Sequence, residues 1–181
     1  RTIYGSVWVP EGKPVAVLQL IHGMTEYIDR YDEFATYFTN LGYLVCGFDL
    51  ESHGRAAHQE IHGLYIDHWN NLIEDVEMHH QYPEIPYVML GFSLGSFILR
   101  SHQCIYPEAA DKLIYVGTGQ PKRNELKFAH WLISVLCKKD NKPSELVKKL
   151  AFDNYNRKFK HSKSGIDWLL KDGKAQEDYL K

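Results

Sequence analysis

The sequence predicts an α/β protein with a mostly parallel sheet flanked by helices and followed by a helical cap. Three observations predict it. Strand and helix patterns alternate from residue 15 to residue 116, the order of a parallel sheet joined by right-handed crossovers. Residues 15–21 and 43–48 are nearly continuous apolar runs, as expected of strands buried on both faces. Short loops then follow the strands at Met24, Asp49 and Ser93. These lie at the carboxyl ends of the strands, where such sheets bind ligands.

Taken in order, residues 3–9 alternate apolar with small or polar side chains, and Pro10-Glu11-Gly12 turns the chain. Residues 15–21 form the second strand, and a loop opens at His22. A helix fits residues 30–41, with Tyr31, Phe34, Phe38 and Leu41 on one face. Asp29 is placed to cap it and Gly42 to stop it. The strand at 43–48 runs into Asp49 and a polar loop through Ser52-His53-Gly54. The next helix spans residues 68–81, with Trp69, Leu72, Ile73, Val76 and His80 sharing a face, until Pro83 and Pro86 break the pattern. A strand at 87–90, a helix at 94–105 and a strand at 113–116 complete the alternation. After Gly117-Thr118-Gly119 the strand signal ends. Residues 126–137 are helical and apolar on most sides, and residues 144–152 and 165–170 read as shorter helices. The expected division is an α/β core over residues 1–119 and a cap over residues 120–181.

A chain of 181 residues can bury one sizeable core. Its formal net charge of −2 provides no basic footprint, which argues against a nucleic-acid partner. Cys46, Cys104 and Cys137 have no paired spacing and read as reduced thiols of a cytoplasmic protein. No run approaches the length of a membrane-spanning helix, and no signal-peptide pattern opens the chain. Both ends are patterned where they stop, so the expectation is a chain cut at both ends.

The chemistry is carried by two short motifs. Gly91-Phe92-Ser93-Leu94-Gly95 follows an apolar strand and precedes a helix. A G-x-S-x-G segment in that context forms a nucleophile elbow, a strained turn that exposes the serine hydroxyl. Ser93 is therefore the candidate nucleophile for acyl transfer. His22-Gly23-Met24 directly follows a strand, where a loop N–H pairs with the N–H of the residue after the nucleophile. The candidate oxyanion hole is thus the backbone N–H of Met24 and of Leu94. The positive end of the helix behind Ser93 would favour the same charge.

The run His22-Gly23-Met24-Thr25-Glu26, then Arg30-Tyr31-Asp32, then Leu41-Gly42-Tyr43, together with the Gly91–Gly95 elbow, resembles the monoacylglycerol lipase and lysophospholipase branch of the α/β-hydrolases, a serine aminopeptidase-type hydrolase domain. Asp49 with Ser52-His53-Gly54 is similar to that family's D-x-R-G-H-G loop, and residues 155–168 resemble the cap of bacterial members. The resemblance implies a carboxylic ester hydrolase that forms an acyl-enzyme on Ser93, with Met24 and Leu94 as the oxyanion hole and a mobile cap over an acyl-chain pocket. It implies that Glu26 supports the oxyanion loop. The implied partner is an acyl-ester lipid, and the apolar cap helix with lysines at its end is compatible with transient contact at a membrane surface.

Two departures stand out. Glu51 and Ser52 replace the family's arginine and glycine before His53-Gly54, which puts the stability of that loop in doubt. The family's acid and histidine also follow later strands that this chain lacks, since the order in this fold is Ser, then Asp or Glu, then His. His130 and His161 fall in the cap, and none of the ten histidines is read as the general base. The chain alone is therefore expected to be close to inactive, with its acid and histidine beyond Lys181. Glu77 and His80 have Glu-x-x-His spacing, but a di-metal site needs two copies and there is one. No metal and no cofactor are expected, and no glycine-rich phosphate loop is present. The alternatives are a non-catalytic protein of this fold that binds lipid or a partner, and a hydrolase of peptides or small esters. An incomplete sheet leaves an open edge that favours association with a missing segment or aggregation, so a monomeric, cooperative melt of the chain would favour the first; the second stays open because fold does not set substrate.

Overall fold

A computed structural model describes residues 2–57, 68–78, 84–136, 159, 166–167 and 169–180. The chain forms two compact units, Arg1–Gln120 and Pro121–Lys181. In the first unit, β1 (Gly5–Trp8), β2 (Ala16–Ile21), β3 (Tyr43–Phe48), β4 (Tyr87–Phe92) and β5 (Lys112–Val116) form one sheet in the order β1-β3-β2-β4-β5. β1 runs antiparallel to β3, and the other pairings are parallel. The helices are α1 (Asp32–Asn40), α2 (Trp69–Met78) and α3 (Leu94–Ile105). This is a mostly parallel α/β sheet, as the alternation of patterns predicted.

Side chains alternate across a strand, and here both faces are covered. Val17 and Ile21 of β2 pack with Cys46, Phe48, Met89, Leu72, Val76, Ile98 and Leu99 into the larger core, under α2 and α3. Leu18 and Leu20 face the other way, against Val45, Ile28 and Ala35 under α1. The all-apolar reading of β2 has one exception, the fully buried Gln19. Its Nε2 donates to the Val76 carbonyl at 2.9 Å and its Oε1 accepts the Tyr87 hydroxyl at 2.9 Å. It therefore ties α2 to the sheet with both ends of its amide satisfied.

Asp29 does not cap the first helix. It lies within a 3₁₀ turn, Ile28–Tyr31, and its carboxylate accepts the Ser6 hydroxyl at 2.6 Å, so α1 begins only at Asp32. Gly42 does end α1: at φ 90° its N–H reaches the Thr39 carbonyl at 2.9 Å, a conformation that glycine adopts without a side-chain clash.

In the second unit, α4 (Arg123–Leu136) begins three residues before the expected start. Around residues 165–170 the described residues form a turn on the Ile166 carbonyl rather than a helix. The helix comes later, as α5 (Gly173–Leu180), where the Asp172 carboxylate caps the Ala175 N–H at 2.9 Å. The short helix expected at 144–152 lies outside the described residues, as do Cys137 and residues 79–83.

Replacing Gln19 with Leu removes a donor from the Val76 carbonyl in the core. We expect Gln19→Leu to lose about 1–3 kcal/mol of stability in urea unfolding, despite its added apolar surface.

Candidate active site

The site is built at the carboxyl ends of β2, β3 and β4. The parallel register pairs Ile21 with Gly91, so the loop after β2 and the turn after β4 leave the sheet side by side. Ser93 sits in that turn at φ 49° and ψ −111°, a strained conformation for a residue with a side chain. Its N–H donates to the Val116 carbonyl at 2.8 Å, which pins the turn to β5. A β-carbon on Gly91 would lie 2.5 Å from the Gly95 carbonyl oxygen, and one on Gly95 would lie 2.1 Å from that of Ile21. Neither position can hold a side chain, so both glycines of the motif are required by close approach.

Ser93 occupies the cap position of α3, yet its hydroxyl makes no capping bond. Ser96 closes the first turn instead. Its N–H and its hydroxyl both donate to the Ser93 carbonyl, at 3.0 and 2.6 Å. Among the described residues, none forms a hydrogen bond with the Ser93 hydroxyl.

The loop after β2 passes directly over this turn. A β-carbon on Gly23 would lie 3.3 Å from that of Ser93 and 2.9 Å from Glu26 Oε2. The Glu26 carboxylate accepts the Gly23 N–H at 2.8 Å and the Tyr31 hydroxyl at 3.0 Å, so it braces the oxyanion loop. Burial, and then the charge of Glu26, raises the Tyr31 phenol above its ordinary pKa and keeps it a donor. Neither the Met24 N–H nor the Leu94 N–H has an acceptor among the described residues. The structure therefore places Ser93 next to the Gly23-Met24 loop and leaves both candidate oxyanion donors open.

His22 lies beneath the loop, fully buried. Its Nδ1–H donates to the Gly23 carbonyl at 2.7 Å, and its Nε2 accepts the Leu50 N–H at 2.9 Å. Its neighbour His53 is also buried, with ring centroids 5.2 Å apart, and donates from Nδ1 to the Glu51 carbonyl at 2.7 Å. Burial lowers the pKa of both imidazoles, that of His22 from 6.5 to about 4.

The polar loop after β3 is held by Asp49. Its buried carboxylate accepts the Ile28 N–H at 2.8 Å and, from Arg55, the backbone N–H and Nε–H at 3.0 Å each. Gly54 must approach it closely, because a β-carbon there would lie 2.5 Å from Asp49 Cγ. The sequence reading missed Arg55. An arginine lies one residue beyond His53-Gly54, and it anchors the loop that Glu51 had put in doubt.

Among the described histidines, His22 and His53 are held by backbone groups, and His102 meets Glu77 at 2.8 Å. Glu77 thus has a partner in α3, and His80 of the Glu-x-x-His pair lies outside the described residues. His58, His62, His79 and His161 also lie outside them. Among the described residues, no group of three or more His, Cys, Asp or Glu side chains is placed to hold a metal ion.

A strained serine on a strand-to-helix turn beside a glycine-bearing loop defines an α/β-hydrolase site. The family model for serine aminopeptidase S33 (Hydrolase_4) matches residues 12–180, and the chain belongs to that family. It is 32% identical over 120 residues to a monoglyceride lipase homolog from Monkeypox virus, a match covering 64% of this chain and 42% of that protein. It is 29% identical over 121 residues to a monoacylglycerol lipase from Mycolicibacterium smegmatis, covering 65% of this chain and 42% of the relative. The chain thus spans less than half the length of these relatives. In fold, a carboxyl esterase from Bacillus coagulans superposes with a TM-score of 0.83 at 23% identity, over 98% of this chain and 60% of that one.

The buried imidazoles make stability depend on pH. Their folded pKa values lie below the unfolded value of 6.5, so their contribution is complete above 6.5. It is lost as the pH falls from there towards about 4. Urea unfolding should show a loss of about 2 kcal/mol from His22 between roughly pH 7.5 and pH 5. A flat profile over that range would contradict a neutral His22 in the folded protein.

Proposed function

We propose that the protein is a serine ester hydrolase that cleaves monoacylglycerols through an acyl-enzyme on Ser93. One observation carries this reading: among the described residues, the Ser93 hydroxyl has no hydrogen-bond partner on its strained turn, and the two backbone N–H groups beside it have no acceptor. Ser93 Oγ attacks the ester carbonyl carbon, and its proton passes to a general base. The Met24 and Leu94 N–H groups hold the oxyanion, at a cost of about 3 kcal/mol in the transition state if one is removed. Collapse of the intermediate expels the alcohol as the base returns the proton to its oxygen; water, deprotonated by the same base, then attacks the acyl-enzyme and releases the acid, and the proton returns to Ser93. His22, His53 and His102 are held by other groups, and the base and its acid partner are assigned to residues outside the described set.

The choice of substrate rests on the relatives named as monoacylglycerol lipases. A lysophospholipid shares the ester and differs in head group. Helix α4 exposes Leu126, Phe128, Trp131, Ile133 and Val135, which supports contact with an acyl chain or a membrane surface. Among the described residues, no helix is long and apolar enough to cross a membrane.

The test is hydrolysis by the full-length protein of monooleoylglycerol, lysophosphatidylcholine, a short-chain ester and an aminoacyl amide, side by side, each followed by the acid it releases. Monooleoylglycerol should be preferred, and Ser93→Ala should lower turnover by at least about 10³-fold with little change in melting temperature. Preference for the amide would move the assignment to a peptidase. Turnover unaffected by Ser93→Ala would remove the acyl-enzyme.

A further inference from the structure

We propose that His22 is a positioning residue that sets the orientation of the Gly23–Met24 peptide, and through it the Met24 N–H offered to the oxyanion. The proposal deepens the reading of the site given above and rests on it.

A trans peptide is planar, with its C=O and N–H on opposite edges. The chain has no cis peptide bond. The Gly23 carbonyl and the Met24 N–H belong to one such plane, so the direction of the carbonyl determines the direction of the N–H. Among the described residues, the group that bonds this carbonyl is His22 Nδ1–H, at 2.7 Å. Glu26 cannot do the same work. It accepts the Gly23 N–H, which belongs to the preceding peptide and is unmoved in principle when the 23–24 plane rotates. That rotation is otherwise easy, because Gly23 carries no β-carbon to oppose it. A rotated peptide would present a carbonyl oxygen where the mechanism needs a donor.

The tautomer required of His22 is itself enforced. A carbonyl only accepts and a backbone N–H only donates. The Leu50 N–H, 2.9 Å from Nε2, therefore leaves the ring proton on Nδ1. Leu50 directly follows Asp49, whose carboxylate is bonded by Ile28 and Arg55. The loop after β3 thus holds the imidazole, and the imidazole holds the oxyanion peptide.

A side chain that only filled space would be served equally by any residue of similar size. Asparagine and glutamine separate the two roles. Asparagine can place an N–H near the position of Nδ1, and glutamine can place an acceptor near the position of Nε2. The experiment compares His22→Asn, His22→Gln and His22→Ala in the full-length protein, measuring kcat, KM and melting temperature with monooleoylglycerol. Two readouts do not depend on turnover: the imidazole tautomer of His22 by nitrogen NMR, and the amide shift of Met24 in each variant.

We expect a Nδ1–H tautomer. The Gln and Ala variants should lose at least about tenfold in kcat, with KM changed less than about twofold, and the Met24 amide should shift. His22→Asn should recover kcat and the Met24 shift even where its melting temperature falls as far as that of the Gln variant. A Nε2–H tautomer would overturn the proposal. So would losses of kcat that follow melting temperature across all three variants, or recovery by Gln and not Asn. If the wild type hydrolyses none of the esters, the reading of the function fails, while the tautomer and the Met24 shift still decide the positioning role.

Discussion

The site depends on one close approach, that of the first turn of α3 to the end of β2. Gly95 lies over the Ile21 carbonyl with room for a hydrogen and nothing larger; its β-carbon would also fall 2.7 Å from the His22 carbonyl oxygen. This contact brings the turn bearing Ser93 against the loop bearing Met24. It works because β2 and β4 are adjacent parallel strands whose register brings Ile21 level with Gly91. A slip of one residue would turn every side chain of β4 to the opposite face, burying Phe92 where Gly91 now passes. The large core under α2 and α3 opposes such a slip, since Tyr87 and Met89 are both buried in it. Apolar packing far from the chemistry therefore sets the spacing of the two loops.

Loops at strand ends lose the ladder that satisfies their backbone, and buried N–H groups there need acceptors. This protein supplies them from side chains. Glu26 takes the Gly23 N–H, His22 takes that of Leu50, and Asp49 takes those of Ile28 and Arg55. Each acceptor reaches from one loop to another or closes its own loop. Burial would be costly for these groups without partners; with them it fixes three loops relative to one sheet. The positive charge of Arg55 on the buried Asp49 completes the arrangement at 3.0 Å.

Much of this was legible. The period of apolar residues located the strands, because burial on both faces demands continuous apolar runs, and the elbow glycines announced a close approach before its partner was known. Helix starts were less legible. Asp29 had the chemistry of a cap but was drawn to Ser6 and Arg55 across the sheet edge, a tertiary contact that spacing does not encode. Asp172 had the same chemistry and did cap a helix, where the pattern had pointed to residues 165–170. Arg55 was missed because its partner, Asp49, is buried by the fold, and no local periodicity pairs residues six apart across a loop. The role of His22 was hidden for a similar reason. Its backbone position marked it as part of a loop, while its side chain runs beneath that loop to Leu50.

The handling of the α3 terminus connects strain to the proposed chemistry. A serine at a helix cap ordinarily accepts an N–H from the first turn, worth about 1 kcal/mol. Ser93 forgoes that bond because its positive φ carries its side chain out of capping geometry. Ser96 supplies a substitute by bonding the Ser93 carbonyl, which holds the turn together while leaving the Leu94 N–H open. Among the described residues the terminus therefore retains an unpaired donor, at the positive end of the helix dipole and next to Ser93, the proposed nucleophile. In the proposed chemistry such a donor interacts more strongly once negative charge develops beside it. An interaction that is stronger in the transition state than in the ground state is the condition for raising the rate of the chemical step.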